Sequence, residues 1–232
     1  MIRLETLDWS AVTESLNERG YALLRNVLSA PECKSLRELY TDNTLYRSTV
    51  NMERYRFGKG EYKYFQYPLP DIVEGLRKAF YPPLAKVANE WMRHLNIETA
   101  FPETHERLIG HCSKHGQLRP TPLILRYEKG GFNTLHQDLY GLIYFPFQIV
   151  LILNKKERDF TGGDFVMVEQ VPRAQSKAKV IQPGEGDAVI FTTNFRPVKS
   201  SKGYYRSTVK HGVSEVESGV RYALGVIFHD AS

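Results

Sequence analysis

Residues 130–141 read GGFNTLHQDLYG, and one of only seven histidines, His136, stands there two residues before Asp138. In a β-strand, residues i and i+2 point to the same face, so the pair would present an imidazole and a carboxylate side by side, which is half of a metal site. The surrounding chain has the texture of strands. From about residue 121 it breaks into short runs rich in Val, Ile, Phe and Tyr: TPLILRYE, FQIVLILN, DFVMVEQV, KVIQP, DAVIFTT and RYALGVIF. Turn signals such as KGG, TGGD and PGEGD separate them. Many short strands at even spacing predict an antiparallel sandwich or barrel.

Upstream of about residue 110 the apolar pattern is mostly helical. LDWSAVTESLNERG predicts a helix capped by Asp8 or Ser10 and ended by Gly20, and YALLRNV a short strand. APECKSLRELY predicts a second helix with Pro31 in its first turn. Residues 71–96 carry helical spacing, but Pro82 and Pro83 should break or kink the run into two helices. The expected architecture is mainly β with N-terminal helices, residues 1–232 forming a single domain. In it, 1–115 is mostly helical support and lid, and 116–232 is the β core.

A chain of 232 residues can bury a full hydrophobic core without staples. Cys33 and Cys112 share no short spacing and read as reduced thiols. MIRLETLDWS shows no leader pattern and no run of about 18 apolar residues occurs, so the expectation is a soluble cytoplasmic protein with no membrane partner. The formal charge of +5 permits a polyanionic partner without requiring one.

His136 and Asp138 need a third ligand, because an iron site of two histidines and one carboxylate leaves the opposite positions open. His211, in YYRSTVKHGVSEV, is the candidate, on a segment that a later strand of the sandwich could bring back alongside the first. Ten residues further, Arg221 opens the apolar strand RYALGVIF. A buried guanidinium there is costly unless it meets an anion, and a dicarboxylate chelating the metal at one end would offer that anion at the other. His229 lies beyond Arg221 and suits the role less well. His111 and His115 are four apart, as in a helical metal pair, but Gly116 and Pro120 argue for a loop.

Taken together, H-x-D, a distal histidine and an arginine ten residues on resemble the Fe(II) and 2-oxoglutarate dependent dioxygenases. TGGDFVMVE and PGEGDAVIF are similar to turns and strands of its prolyl-hydroxylase-like branch. The ending GYYRSTVKHGVSEVESGVRYALGVIFHDA and the stretch YRFGKGEYKYFQYPLP resemble a bacterial oxygenase family linked to oxidation of damaged nucleic acid. The resemblance implies a double-stranded β-helix, a jelly-roll sandwich buttressed by helices. It implies Fe(II) on His136, Asp138 and His211, 2-oxoglutarate on Arg221 with help from Tyr127, and O2 as the oxidant. Oxidative decarboxylation to succinate and carbon dioxide would be coupled to C–H hydroxylation.

The substrate stays open at this level. Residues 51–70, NMERYRFGKGEYKYFQYPLP, interleave Arg54, Arg56, Lys59 and Lys63 with six Tyr and Phe side chains, a texture that suits single-stranded or alkylated nucleic acid. RPVKSSKGYYRSTVKH adds five cations and no acid just before His211, placing them near the site mouth. Against this, the nucleic-acid dealkylating branch follows its cosubstrate arginine, six residues on, with a second arginine, and here that position is Ile227. A protein or peptide side chain, or a small molecule, is the alternative substrate. A cupin-like binding protein that turns nothing over is the third reading, and it would not need Arg221.

Overall fold

The computed structural model describes residues 7–232; residues 1–6, the start of the stretch read for a leader, lie outside the described residues. Helix α1 (Trp9–Arg19) begins where the Asp8 carboxylate accepts from the Ser10 and Ala11 N–H groups, and ends at Gly20 in the left-handed region, so Asp8 rather than Ser10 is the cap. Strand β1 (Tyr21–Leu24) and helix α2 (Ala30–Glu38) follow, the latter opened by a Ser29/Glu32 capping box with Pro31 in its first turn. Strands β2 (Tyr46–Asn51), β3 (Gly58–Lys59) and β4 (Glu61–Phe65) come next. The helical half therefore also supplies four short strands.

Helix α3 (Asp71–His94) runs unbroken through Pro82 and Pro83, contrary to the expected division. Each proline forfeits a backbone hydrogen bond, a cost of about 3 kcal/mol in an isolated helix. Here Val73, Leu76, Phe80, Leu84, Val87, Ala88 and Trp91 are all buried on either side of the prolines, and that burial holds one axis. Helix α4 (His105–Lys114) corrects the loop expected around His111: His111 lies on the helix, and His115 caps it with its ring nitrogen 2.9 Å from the His111 carbonyl.

The remaining strands are β5 (Leu123–Glu128), β6 (Phe132–His136), β7 (Phe147–Ile152), β8 (Phe160–Gly162), β9 (Phe165–Gln170), β10 (Lys177–Ile181), β11 (Ala188–Thr192), β12 (Phe195–Ser200), β13 (Gly203–Val213) and β14 (Val216–Ile227). They form two antiparallel sheets. The larger has the order β1-β11-β7-β14-β5-β4-β2 with β8 on β14, and the smaller β10-β9-β13-β6-β3 with β12 on β13.

Strand alternation explains the layers. Phe147, Ile149 and Leu151 of β7, with Leu224 and Val226 of β14, join the core that holds α1 to α3, and Trp91 packs on Phe147 at 4.7 Å between ring centroids. The intervening residues Val150, Ile152 and Ala223 turn the other way and meet Phe165, Met167 and Val209 of the smaller sheet. The central strands β7 and β11 of the large sheet are thus buried on both faces, which is why they read as continuous apolar runs. Cys33 and Cys112 are both buried free thiols. Among the described residues, no helix is long and apolar enough to cross a membrane.

Candidate metal centre and cosubstrate pocket

A cavity of about 230 Å³ opens between the two sheets. Its back wall follows from the alternation just described: Leu123, Leu125 and Tyr127 of β5 face it, as do Arg221, Ala223 and Gly225 of β14. From the smaller sheet come His136 at the end of β6 and His211 on β13, directly opposed as cross-strand partners. Asp138 is placed differently from the sequence expectation. Strand β6 stops at His136, and Asp138 reaches the site from the loop that follows, not from the strand.

The three side chains nonetheless converge. His136 Nε2 stands 3.5 Å from Asp138 Oδ1, His211 Nε2 stands 3.3 Å from Asp138 Oδ2, and one ligand atom from each falls within 4.8 Å of the others. The Thr134 carbonyl lies 2.7 Å from His136 Nδ1, which fixes that nitrogen as the N–H and leaves the Nε2 lone pair free. Burial pushes the His211 pKa down. Burial alone would raise the Asp138 pKa, but the hydrogen bond with His211, the charges of both histidines and the Tyr140 hydroxyl outweigh it, so the carboxyl ionises well below its usual range. Two imidazoles and one carboxylate form the donor set that suits Fe(II) with open positions.

Two tyrosines not anticipated from the sequence support the carboxylate. Tyr140 donates to Asp138 Oδ1 at 2.7 Å, and the Tyr64 hydroxyl lies 3.2 Å from that of Tyr140. Their signals were weak: Tyr140 sits in an irregular loop and Tyr64 in a charged strand. Gln148 was equally hidden within the apolar run FQIVLI, yet its amide nitrogen stands 3.4 Å from His211 Nε2.

The decisive feature of the cavity is its unsatisfied polar atoms. Among the described residues, six buried side-chain polar atoms lack a hydrogen-bond partner, and four of them belong to lining residues: Tyr127 Oη, Gln148 Oε1, His211 Nδ1 and Arg221 Nε. Each such atom costs roughly 1–3 kcal/mol. Arg221 is 1% exposed and forms no ion pair with any described residue. Burial pushes its pKa down. Its guanidinium lies 5.5 Å from the Tyr127 ring centroid. Gly163 of the TGGD turn packs against it with φ +61, and a Cβ there would stand 2.8 Å from Arg221 Cδ. An anionic group with several oxygens, entering beside His136, Asp138 and His211, would accept from the Tyr127 hydroxyl and Arg221 Nε.

The remaining candidates have other roles. His229 Nδ1 accepts from the Phe145 N–H at 3.0 Å, and its ring is not part of the His136/Asp138/His211 cluster. None of the basic residues of the two cationic stretches lines the cavity, whose walls there are Met52, Phe57, Tyr62 and Tyr64. Lys63 is buried, donating to the Tyr40 carbonyl and Asn43, and Arg196 pairs with buried Glu169 at 2.7 Å. Lys210, beside His211, is exposed on the opposite face of β13.

Comparison with known proteins agrees with this geometry. Residues 60–231 match the model of a family described as "Oxygenase, catalysing oxidative methylation of damaged DNA". The uncharacterized protein Rv2227 of Mycobacterium tuberculosis is 45% identical over 168 residues, 72% of each chain. Three solved structures share the fold. A Pseudomonas putida prolyl-4-hydroxylase gives a TM-score of 0.58 at 15% identity, covering 96% of this chain and 100% of that one. A Burkholderia pseudomallei oxidoreductase of the 2OG-Fe(II) oxygenase family gives 0.54 at 16%, covering 98% and 94%. A Trichoplax adhaerens prolyl hydroxylase, in complex with a hypoxia inducible factor peptide fragment, gives 0.55 at 16%, covering 96% and 89%. The expected double-stranded β-helix is therefore the fold found. With well over half its length matched, the chain belongs to the oxygenase family described as acting in oxidative methylation of damaged DNA, and it is built on the scaffold of the 2OG-Fe(II) oxygenases.

Proposed function

We propose that this protein is an Fe(II)- and 2-oxoglutarate-dependent dioxygenase that oxidises alkyl groups on damaged nucleic acid. The observation that carries the reading is the pairing, in one cavity, of a His136/Asp138/His211 donor set with the unpartnered guanidinium of Arg221. The helical N-terminal half belongs to the same domain in this reading, as support and lid.

His136, Asp138 and His211 would hold the metal through two imidazole nitrogens and one carboxylate oxygen. When bound, Fe(II) with 2-oxoglutarate and O2 supplies the oxidising chemistry for an unactivated C–H bond. The chain's own residues do the rest. Arg221 offers a bidentate fork to the distal carboxylate of the cosubstrate, with the Tyr127 hydroxyl as a further donor. Tyr140 donates to Asp138 Oδ1 and so holds the carboxylate that would serve as the metal's oxygen ligand. The apolar walls Leu123, Leu125, Val150, Phe165 and Phe191 exclude water from the oxidation.

The family description supports damaged DNA as the substrate class. An oxygenase has no methyl donor; hydroxylating an N-methyl carbon, which then leaves as formaldehyde, is the reaction open to it. A damaged base would have to leave its stack to enter a cavity walled by Tyr62, Tyr64 and Phe57. The second reading, hydroxylation of a protein side chain or a small molecule, draws on the GGD turn and the Ile227 departure. The direct test is succinate formation from 2-oxoglutarate by the iron-loaded protein. Iron-dependent turnover lost in Asp138→Ala supports the assignment, and full activity in that variant refutes it.

A further inference from the structure

The tip between β2 and β4 carries two aromatic rings at the surface. Tyr55 is 60% exposed and Phe57 46%, and the rings stack on each other with centroids 5.6 Å apart and planes 19° from parallel. Phe57 also lines the cavity and Tyr55 does not, so the pair runs from the surface to the cavity mouth.

This tip is fastened to the strand that carries the first metal ligand. The Phe57 carbonyl accepts from the Thr134 N–H at 2.9 Å and from its hydroxyl at 2.8 Å, two residues before His136. Strand β3 pairs with β6 in the register Gly58↔Asn133 and Lys59↔Phe132. Only glycine permits that approach at Gly58, where φ is +137 and a Cβ would stand 2.2 Å from the Phe132 carbonyl oxygen.

The charges around the tip are uncommitted. Arg54, Arg56 and Lys59 are exposed and form no ion pair with any described residue, against one acid, Glu53. They differ in this from Lys63 and Arg196, which serve the fold.

From these observations we infer that the Arg54–Lys59 tip is a docking platform for an unpaired strand of nucleic acid. Tyr55 and Phe57 stack a base beside the one that enters the cavity, and Arg54, Arg56 and Lys59 take the neighbouring phosphates. The inference rests on the nucleic-acid reading above and goes beyond it in naming the strand state and the residues. A duplex hides its base faces in the stack, so a stacking platform at the mouth of a cavity between two sheets favours single strands.

The test is fluorescence anisotropy of the metal-free full chain with an unmodified labelled oligothymidylate of about 12 nucleotides, single-stranded and annealed to its complement. Wild type binds the single strand more tightly. Tyr55→Leu and Phe57→Leu each weaken binding roughly 10-fold, whereas Tyr55→Trp, which keeps a stacking face, retains it. Arg54→Gln and Arg56→Gln each reduce the slope of log affinity against log salt by about 0.7. An unchanged thermal midpoint shows that each variant is folded. Wild-type binding that survives both leucine variants, or a preference for duplex, overturns the platform while leaving the nucleic-acid reading standing. No binding of either form by wild type overturns both.

Discussion

Tyr127 and Arg221 are direct cross-strand partners on β5 and β14, and neither the hydroxyl of the first nor the Nε of the second has a hydrogen-bond partner. Opposed residues of antiparallel strands share a face, so the two donors point together into the cavity between the sheets. A fold that leaves a buried cation unpaired in this way gives up stability until an anion arrives.

That relationship predicts opposite effects of one substitution. Arg221→Met removes the buried charge and should raise the thermal stability of the protein without cosubstrate, by about 1 kcal/mol or more. The same variant should bind 2-oxoglutarate roughly 100-fold more weakly by calorimetry, with metal binding retained. A stability gain with unchanged 2-oxoglutarate affinity would remove Arg221 from the site.

Gly163→Ala should act on the same contact. Its φ of +61 strains any L side chain, and the added Cβ would press on Arg221 Cδ. The expected result is a destabilised protein, by about 1 kcal/mol or more, whose 2-oxoglutarate affinity also falls. An equally stable variant with wild-type affinity would show that the turn can yield.

Tyr140→Phe should lower metal affinity about 10-fold, since it frees Asp138 Oδ1 and loosens the carboxylate. Titration with Co(II), followed by the metal's visible absorption, measures this. Tyr64→Phe should have a smaller effect because it acts through Tyr140. Equal affinities in all three proteins would make the tyrosines bystanders.

Acid should destabilise the fold through two histidines. Burial first, and the Arg77 charge second, depress the pKa values of His105 and His229 to about 3 from an ordinary 6.5. The folded protein keeps both neutral while the unfolded chain protonates them. Their contribution to stability is therefore complete above pH 6.5 and is lost progressively as the pH falls toward about 3. Near pH 5 the loss is on the order of 2 kcal/mol per histidine. Denaturant unfolding across this range should show the slope, and His105→Gln should flatten it. A wild-type curve level from neutral to pH 5 would contradict the account.

Much of the site was legible because strand chemistry is local. The H-x-D motif, His211 and Arg221 were read from their spacing and strand context, the resemblance added Tyr127, and the structure gathers all five residues around one cavity. What was missed depends on tertiary packing. Asp138 approaches from a loop because β6 ends at His136, a boundary no propensity marks. Pro82 and Pro83 fail to break α3 because the large sheet buries both halves of that helix on one side. Lys63 and Arg196, which the sequence groups with the free cations, are used internally by Tyr40 and Glu169, pairings that close only when distant elements meet.

The most direct test of the central claim measures formaldehyde and succinate together. The iron-loaded protein is incubated with 2-oxoglutarate and an N-methylated single-stranded oligonucleotide, with its unmethylated twin, and with the His136→Ala variant as control. The account predicts stoichiometric formaldehyde and succinate with the methylated strand, little of either with the twin, and none in the variant. Succinate that is lost in His136→Ala but indifferent to methylation, with no formaldehyde, would contradict nucleic acid as the substrate.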